Sequence, residues 1–153
     1  MHSLRRTIST DSDFIRLVGL LDQYLADRDG KDHAFYAQFN KIDMIRHVVL
    51  YYEDDEAVGC GAFKQFEPES VEIKRMFVQP EFRGQGIGAL ILNELEAWAG
   101  EIGYLASVLE TGKKQAEAIQ LYRKSGYSTI PNYGQYENVE NSVCMKKEIA
   151  KGT

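Results

Sequence analysis

The sequence predicts an α/β (α+β) fold, a single mixed, mostly antiparallel sheet with helices on both faces. Three observations carry this. Apolar strand-like runs come early as a hairpin and a third strand. A glycine-rich turn then opens a long helix-periodic stretch. Strand and helix patterns alternate once more before a terminal strand pair. The order is β-α-α-β-β-β-α-β-α-β-β, and a right-handed crossover makes the strands flanking the long helix parallel. At 153 residues the chain suits one well-buried core, so a single domain over 1–153 is expected.

The elements follow in order. Leu4 to Ser9 reads as a short strand, ending at Thr10-Asp11-Ser12-Asp13, a cluster rich in N-cap residues. Phe14, Leu17, Val18, Leu21, Tyr24 and Leu25 recur at helical spacing, and Asp29-Gly30 stops that helix. A second helix is expected over Ala34 to Ile42, with Phe35, Tyr36 and Phe39. Ile45 to Tyr52 and Ala57 to Phe66 form a hairpin across the acidic turn Glu53 to Glu56. Pro68 punctuates the loop before the strand Val71 to Val78. The long helix spans Gly86 to Ile102, with Ile87, Leu90, Ile91, Leu95, Trp98 and Ile102 as its buried stripe and Gly103 as its stop. A strand at Tyr104 to Glu110 and a helix at Lys113 to Ser125 come next, with Ala118, Leu121 and Tyr122 inward. Strands Tyr127 to Ile130 and Ser142 to Glu148 close the chain.

Composition narrows the function classes. Hydrophobic residues are 44% and charged residues 27%, ordinary for a globular domain, and the net charge of −5 argues against a nucleic-acid partner. The longest apolar run, Val48 to Tyr52, is far below the roughly 20 residues of a membrane span. The basic start Met1 to Arg6 lacks a following apolar region, so a cytoplasmic location is expected. Cys60 and Cys144 lack metal-like spacing and read as buried free thiols. His2, His33 and His47 share no ligand spacing, so no metal is expected.

The most informative stretch is Val78 to Ala89, a glycine-rich turn between strand and helix. The first N–H groups of a helix lack intrahelical acceptors, and the helix dipole makes that end positive. Glycines let this backbone approach a phosphate closely, and Arg83 adds a guanidinium suited to phosphate oxygens. An acidic protein can thus still hold a polyanion. Gly84-x-Gly86-x-x-Ala89 also satisfies the loose dinucleotide fingerprint, with Glu110 as a ribose acceptor. The antiparallel hairpin before it and the short chain argue against that reading. No Gly-Lys-Ser/Thr follows, so a P-loop is excluded, and a plain connecting turn is the bland alternative.

Three segments resemble the GCN5-related N-acetyltransferases. Arg83-Gly84-Gln85-Gly86-Ile87-Gly88 is similar to their Q/R-x-x-G-x-G/A pyrophosphate signature. Glu72 to Val78 resembles the strand before it, and Ala118 to Tyr127 the A-I-x-L-Y-x-K-x-G-F segment. The resemblance implies the acyl-CoA N-acyltransferase fold and acetyl-coenzyme A as co-substrate. It implies main-chain bonds from Met76, Phe77 and Val78 to the pantetheine arm. It implies that Arg83, Gly84, Gln85, Gly86, Ile87, Gly88 and Ala89 surround the pyrophosphate. Gln115 stands where members often carry an asparagine that contacts the cofactor, and Tyr127 where they carry phenylalanine.

The resemblance implies two catalytic roles. Tyr122 aligns with the family tyrosine that protonates the departing thiolate; its bland role is a half-buried helix residue. Glu72 occupies a position where some members hold a general base acting through water. Strand alternation puts Glu72, Lys74, Met76 and Val78 on one face, so an ion pair with Lys74 is the structural alternative. The implied reaction is direct attack of an amine on the thioester in a ternary complex. The oxyanion would be held by backbone N–H, that of Val78 above all. The acceptor is a small-molecule or peptide amine, and the family admits homodimers. Asp32 to Ile42 and Asn132 to Glu137, aromatic and polar, lie where the family builds its acceptor cleft, which suits a small cationic amine. A non-catalytic acyl-coenzyme A binding module on the same fold is the alternative function.

Overall fold

The computed structural model describes residues 1–29 and 44–149. The helix expected over Ala34 to Ile42, and His33, fall outside the described residues. The strands are β1 (His2–Thr7), β2 (His47–Glu53), β3 (Glu56–Glu67), β4 (Ser70–Val78), β5 (Ala106–Gly112), β6 (Ser128–Ile130) and β7 (Ser142–Glu148). The helices among the described residues are α1 (Ser12–Asp29), α2 (Ile87–Ile102) and α3 (Ala116–Lys124). One seven-stranded sheet runs in the order β1-β2-β3-β4-β5-β7-β6. β4 and β5 pair in parallel, as the crossover through α2 requires, whereas β1 with β2, β2 with β3, β5 with β7 and β6 with β7 are antiparallel. The mixed sheet expected from the sequence is therefore present.

The chain forms two compact units, Met1–Lys64 with Lys74–Leu95, and Gln65–Ile73 with Glu96–Thr153. In the first unit Asp11 caps α1: its carboxylate accepts the Asp13 N–H at 2.9 Å, and Arg5 pairs with the same side chain. Phe14, Leu17, Val18 and Leu21 of α1 are buried against Val48, Leu50, Cys60, Ala62 and Phe77. The opposite sheet face takes α2. A Cβ on Gly61 would lie 2.5 Å from Met76 Sδ and 2.9 Å from both Ile91 and Leu95, so the helix packs on bare β3 backbone. Helices thus cover both sheet faces in this unit.

The stripe of α2 differs from expectation. Ile87, Ile91, Leu92, Leu95 and Ala99 are buried, whereas Leu90 and Ile102 are exposed. The helix carries apolar residues around most of its circumference, so periodicity alone selected a face rotated from the true one.

In the second unit the β5–β7 ladder sorts side chains by face. Glu72 pairs with Val108 across β4 and β5, and Glu110 pairs with Cys144 across β5 and β7. With the two-residue period of a strand, Glu72, Val108, Glu110, Ser142 and Cys144 share one face. Ser107, Leu109, Met145 and Lys147 occupy the other. On that second face Glu96 of α2 accepts from Lys147 Nζ at 2.7 Å and from the Tyr127 hydroxyl at 3.0 Å. The Tyr127 and Ser107 hydroxyls lie 2.8 Å apart, completing a buried polar network.

Candidate functional site

The first unit carries the glycine turn. Upstream, Arg75 in β4 has φ +60°, a left-handed conformation that costs a non-glycine residue about 1–3 kcal/mol. Its buried guanidinium pairs with Asp22 at 2.8 Å, and its carbonyl accepts from Cys60 Sγ at 3.3 Å, so both ends of the residue are held. Pro80 opens the 3-10 turn Pro80–Phe82, and the Gln79 N–H donates to the Val58 carbonyl at 2.9 Å.

Arg83 follows. Its Nε donates to the Val78 carbonyl at 2.8 Å, and its guanidinium lies over the rings of Tyr24 at 4.8 Å and Phe77 at 5.6 Å. Arg83 therefore shapes the turn, and the Val78 carbonyl already has a donor. Gly84 and Gly86 have φ +82° and +81°, and nothing lies within 4 Å of a Cβ built on either. Conformation, not crowding, is what requires glycine here.

The first backbone bond of α2 runs from the Leu90 N–H to the Gly86 carbonyl at 3.1 Å. The N–H groups of Ile87, Gly88 and Ala89 thus have no carbonyl one turn back, and no acidic residue occupies the first helical turn. This end is electrostatically ready for an anion. Met76 and Phe77 point to opposite faces, Met76 toward Gly61 and α2, Phe77 into the α1 core.

The second unit carries the carboxylates and tyrosines. The parallel ladder covers Ser70, Val71 and Glu72 of β4 against Ala106, Ser107 and Val108 of β5, and β4 continues from there to Val78. Glu72 is 5% exposed, and its Oε2 accepts from the Tyr133 hydroxyl at 2.7 Å. Tyr133 packs on Phe66 with ring centres 4.7 Å apart and edge-on to Tyr136 at 6.0 Å. Ser142 Oγ donates to Glu110 Oε2 at 2.7 Å on the same sheet face. Burial pushes the Tyr133 and Tyr136 hydroxyls well above the ordinary phenol range, reinforced at Tyr133 by the Glu72 charge and at Tyr136 by the Glu110 and then the Glu72 charges. Burial likewise lifts the Cys144 thiol to about 11, so near neutrality it stays protonated and is no nucleophile.

Tyr122 is buried on α3, its ring edge-on to Tyr127 at 5.9 Å. Burial, then the Glu110 charge, raises its hydroxyl above the usual value, which keeps it protonated as a donor. Gln115 precedes α3, and its carbonyl accepts the Ile119 N–H at 3.0 Å. Its side chain is 9% exposed and its Nε2 has no hydrogen-bond partner. A buried donor without an acceptor costs about 1–3 kcal/mol and fits a site completed by a ligand oxygen. A phosphate would suit the bare start of α2, and a carbonyl or amide oxygen would suit the orphaned Gln115 amide. Among the described residues no group of three or more His, Cys, Asp or Glu could hold a metal ion.

Sequence reasoning named Glu72, Tyr122 and Gln115, the Asn132 to Glu137 loop, and Lys74 as the structural alternative for pairing Glu72. The Tyr133 contact was missed because 61 residues separate the pair, and only the sheet order brings them together.

Residues 16–127 match the acetyltransferase (GNAT) family model. An IAA acetyltransferase of Azospirillum brasilense is 37% identical over 138 residues, covering 88% of this chain and 90% of that protein. A Klebsiella pneumoniae structure assigned as an acyl-CoA N-acyltransferase superposes with TM-score 0.81 at 30% identity, over 97% of this chain and 98% of that one. A GNAT acetyltransferase of Elizabethkingia anophelis, solved with acetyl-CoA bound, shares the fold at TM-score 0.69 and 17% identity, over 97% and 98% of the two chains. With a family match over most of its length and a relative this similar, the chain belongs to the GNAT family of acetyltransferases.

Proposed function

We propose that the whole chain, 1–153, acts as one acetyl-coenzyme A-dependent N-acetyltransferase on a small primary amine. The observation that carries this is the glycine turn at Gly84 and Gly86 leading into the bare N-terminus of α2. The N–H groups of Ile87, Gly88 and Ala89 would take the pyrophosphate, with Gly84 and Gly86 giving it close approach and Gln85 at the exposed rim. Arg83 supports the turn through Val78 and adds its positive charge. Backbone of Met76, Phe77 and Val78, on the stretch of β4 past its ladder with β5, would pair with the pantetheine arm. Gln115 Nε2 would donate to the same ligand. The acetyl-CoA-bound Elizabethkingia structure supports the co-substrate.

The bound thioester supplies the activated acetyl group. An alkylamine with pKa near 10 is only about 0.1% neutral at pH 7, a penalty of roughly 4 kcal/mol. Glu72, a carboxylate in a buried setting, would take that proton through water. The Val78 N–H would stabilise the oxyanion. Tyr122, kept protonated by burial, would donate to the leaving sulfur. Tyr133, Tyr136 and Phe66 beside Glu72 and Glu110 support a cationic acceptor of modest size.

The test has two stages. Thermal unfolding should rise several degrees with saturating acetyl-coenzyme A and not with NAD. Thiol release should then depend on an added amine, from tyramine, 2-phenylethylamine, spermidine and glycinamide. A shift with NAD alone would overturn the co-substrate. A shift with acetyl-coenzyme A but no amine-dependent thiol would favour a non-catalytic binding module.

A further inference from the structure

We propose that Tyr133 is a positioning residue for the reaction, holding the Glu72 carboxylate by one oxygen in the orientation from which it takes the acceptor's proton. This rests on the reading of Glu72 as the base. Glu72 lies on the central strand β4, nearly removed from solvent, where a carboxylate needs donors to remain charged and oriented. Tyr133 supplies one at 2.7 Å.

The hydroxyl is delivered by a built loop. The Tyr136 N–H donates to the Tyr133 carbonyl at 2.9 Å, the Val139 N–H to Tyr136 at 3.0 Å, and the Ser142 N–H to Val139 at 3.1 Å. Asn132 Nδ2 ties the loop across, donating to the Val139 carbonyl at 3.1 Å and the Ser142 carbonyl at 3.0 Å. Phe66 and Tyr136 fix the Tyr133 ring on two sides. The loop between β6 and β7 therefore contributes orientation to the proton-accepting group as well as a wall for the acceptor. The proton itself passes from the ammonium through water to Glu72; Tyr133 keeps its own throughout. That the hydroxyl is pushed far above its ordinary range by burial agrees with a permanent donor.

The variant Tyr133→Phe removes the hydroxyl and keeps the packed ring. Thiol release with acetyl-coenzyme A, using the best amine of tyramine, 2-phenylethylamine, spermidine and glycinamide, is measured for wild type, Tyr133→Phe, Glu72→Gln and the double variant. Loss of a hydrogen bond to a charged group predicts a fall in kcat of about 10- to 100-fold, with the KM for acetyl-coenzyme A unchanged. Glu72→Gln should lose about 100-fold or more. The double variant should be no slower than Glu72→Gln alone, because Tyr133 acts only through Glu72. Unfolding midpoints of all four, and of Tyr133→Ala as a ring-deleted reference, separate loss of fold from loss of rate. Losses that multiply in the double variant, or a Tyr133→Phe enzyme with wild-type kcat, would overturn the Tyr133 role alone. A Glu72→Gln enzyme at wild-type rate, or no thiol release with any amine, would overturn the Glu72 reading and this inference with it.

Discussion

Replacing Gly86 by alanine separates the two demands made on the glycine turn. Gly86 sits at φ +81°, and a Cβ there meets nothing within 4 Å. The cost to the free protein is therefore conformational, about 1–2 kcal/mol for an L-residue in the left-handed region. That lowers the unfolding temperature by roughly 2–8 °C for a chain of this size. Gly103, just past the end of α2, is the matched control, since it also has positive φ, +119°, and open space around a Cβ. Without ligand Gly103→Ala should lose at least as much stability as Gly86→Ala, because its φ lies farther from the left-handed well near roughly +57°. Their responses to acetyl-coenzyme A should diverge. At about 100 times its dissociation constant the ligand adds roughly 2.7 kcal/mol; a tenfold weaker site leaves roughly 1.4, and a hundredfold weaker one roughly 0.4. Differential scanning fluorimetry with and without acetyl-coenzyme A reads this directly. Gly103→Ala should keep the full ligand shift, and Gly86→Ala should lose half of it or more. Equal ligand shifts in both variants would refute the pyrophosphate role of the turn.

Three further outcomes follow from the second unit and the core. Lys147 and Glu96 form a largely buried pair at 2.7 Å, so Lys147→Met should destabilise by about 2–3 kcal/mol, and Glu96→Gln/Lys147→Met by less, as urea unfolding would show. The Tyr122, Tyr127, Tyr133 and Tyr136 hydroxyls are all raised above the ordinary value near 10. A raised folded value means the folded state holds these protons more tightly, so their contribution is complete below about pH 10 and is lost as pH climbs beyond it. Urea midpoints should hold between about pH 8 and about pH 9.5 and fall steeply above that; a flat profile to about pH 11 would contradict it. Cys60 and Cys144 are buried, with thiols raised to about 12 and about 11, so native protein should resist thiol reagents near pH 8 and expose two thiols in urea. Rapid native labelling of either would count against this.

What the sequence revealed and concealed follows from how local each signal is. The glycine turn was legible because strand, φ-permissive glycines and helix start lie within a dozen residues, and the three family segments ran in order around it. Alternation along β4 predicted one face for Glu72 and Met76, and the positive φ at Arg75 breaks it. Met76 faces α2, whereas Glu72 shares the Val108 face, opposite Ser107, which reaches Glu96 of α2 through Tyr127. At and beyond the break Arg75 and Phe77 turn to α1. The stripe of α2 was misread because a helix apolar nearly all round gives its period no unique phase. Arg83 read as a phosphate ligand by charge alone; its bond to the Val78 carbonyl depends on the fold of the turn. Glu96 drew no attention as one more charge on a helix, although it anchors Lys147 and Tyr127 in the interior. Tyr133 could be assigned to an aromatic loop, but not to Glu72, since their meeting is a product of strand order and not of spacing.

The central claim is chemical, and mass spectrometry of the amine tests it most directly. Wild-type protein is incubated with acetyl-coenzyme A and each of tyramine, 2-phenylethylamine, spermidine and glycinamide, beside Glu72→Gln as the control. The account predicts an N-acetylated amine formed in step with free thiol for at least one of them, and about 100-fold less with Glu72→Gln. Coenzyme binding without any acetylated amine, or equal product from Glu72→Gln, would contradict it.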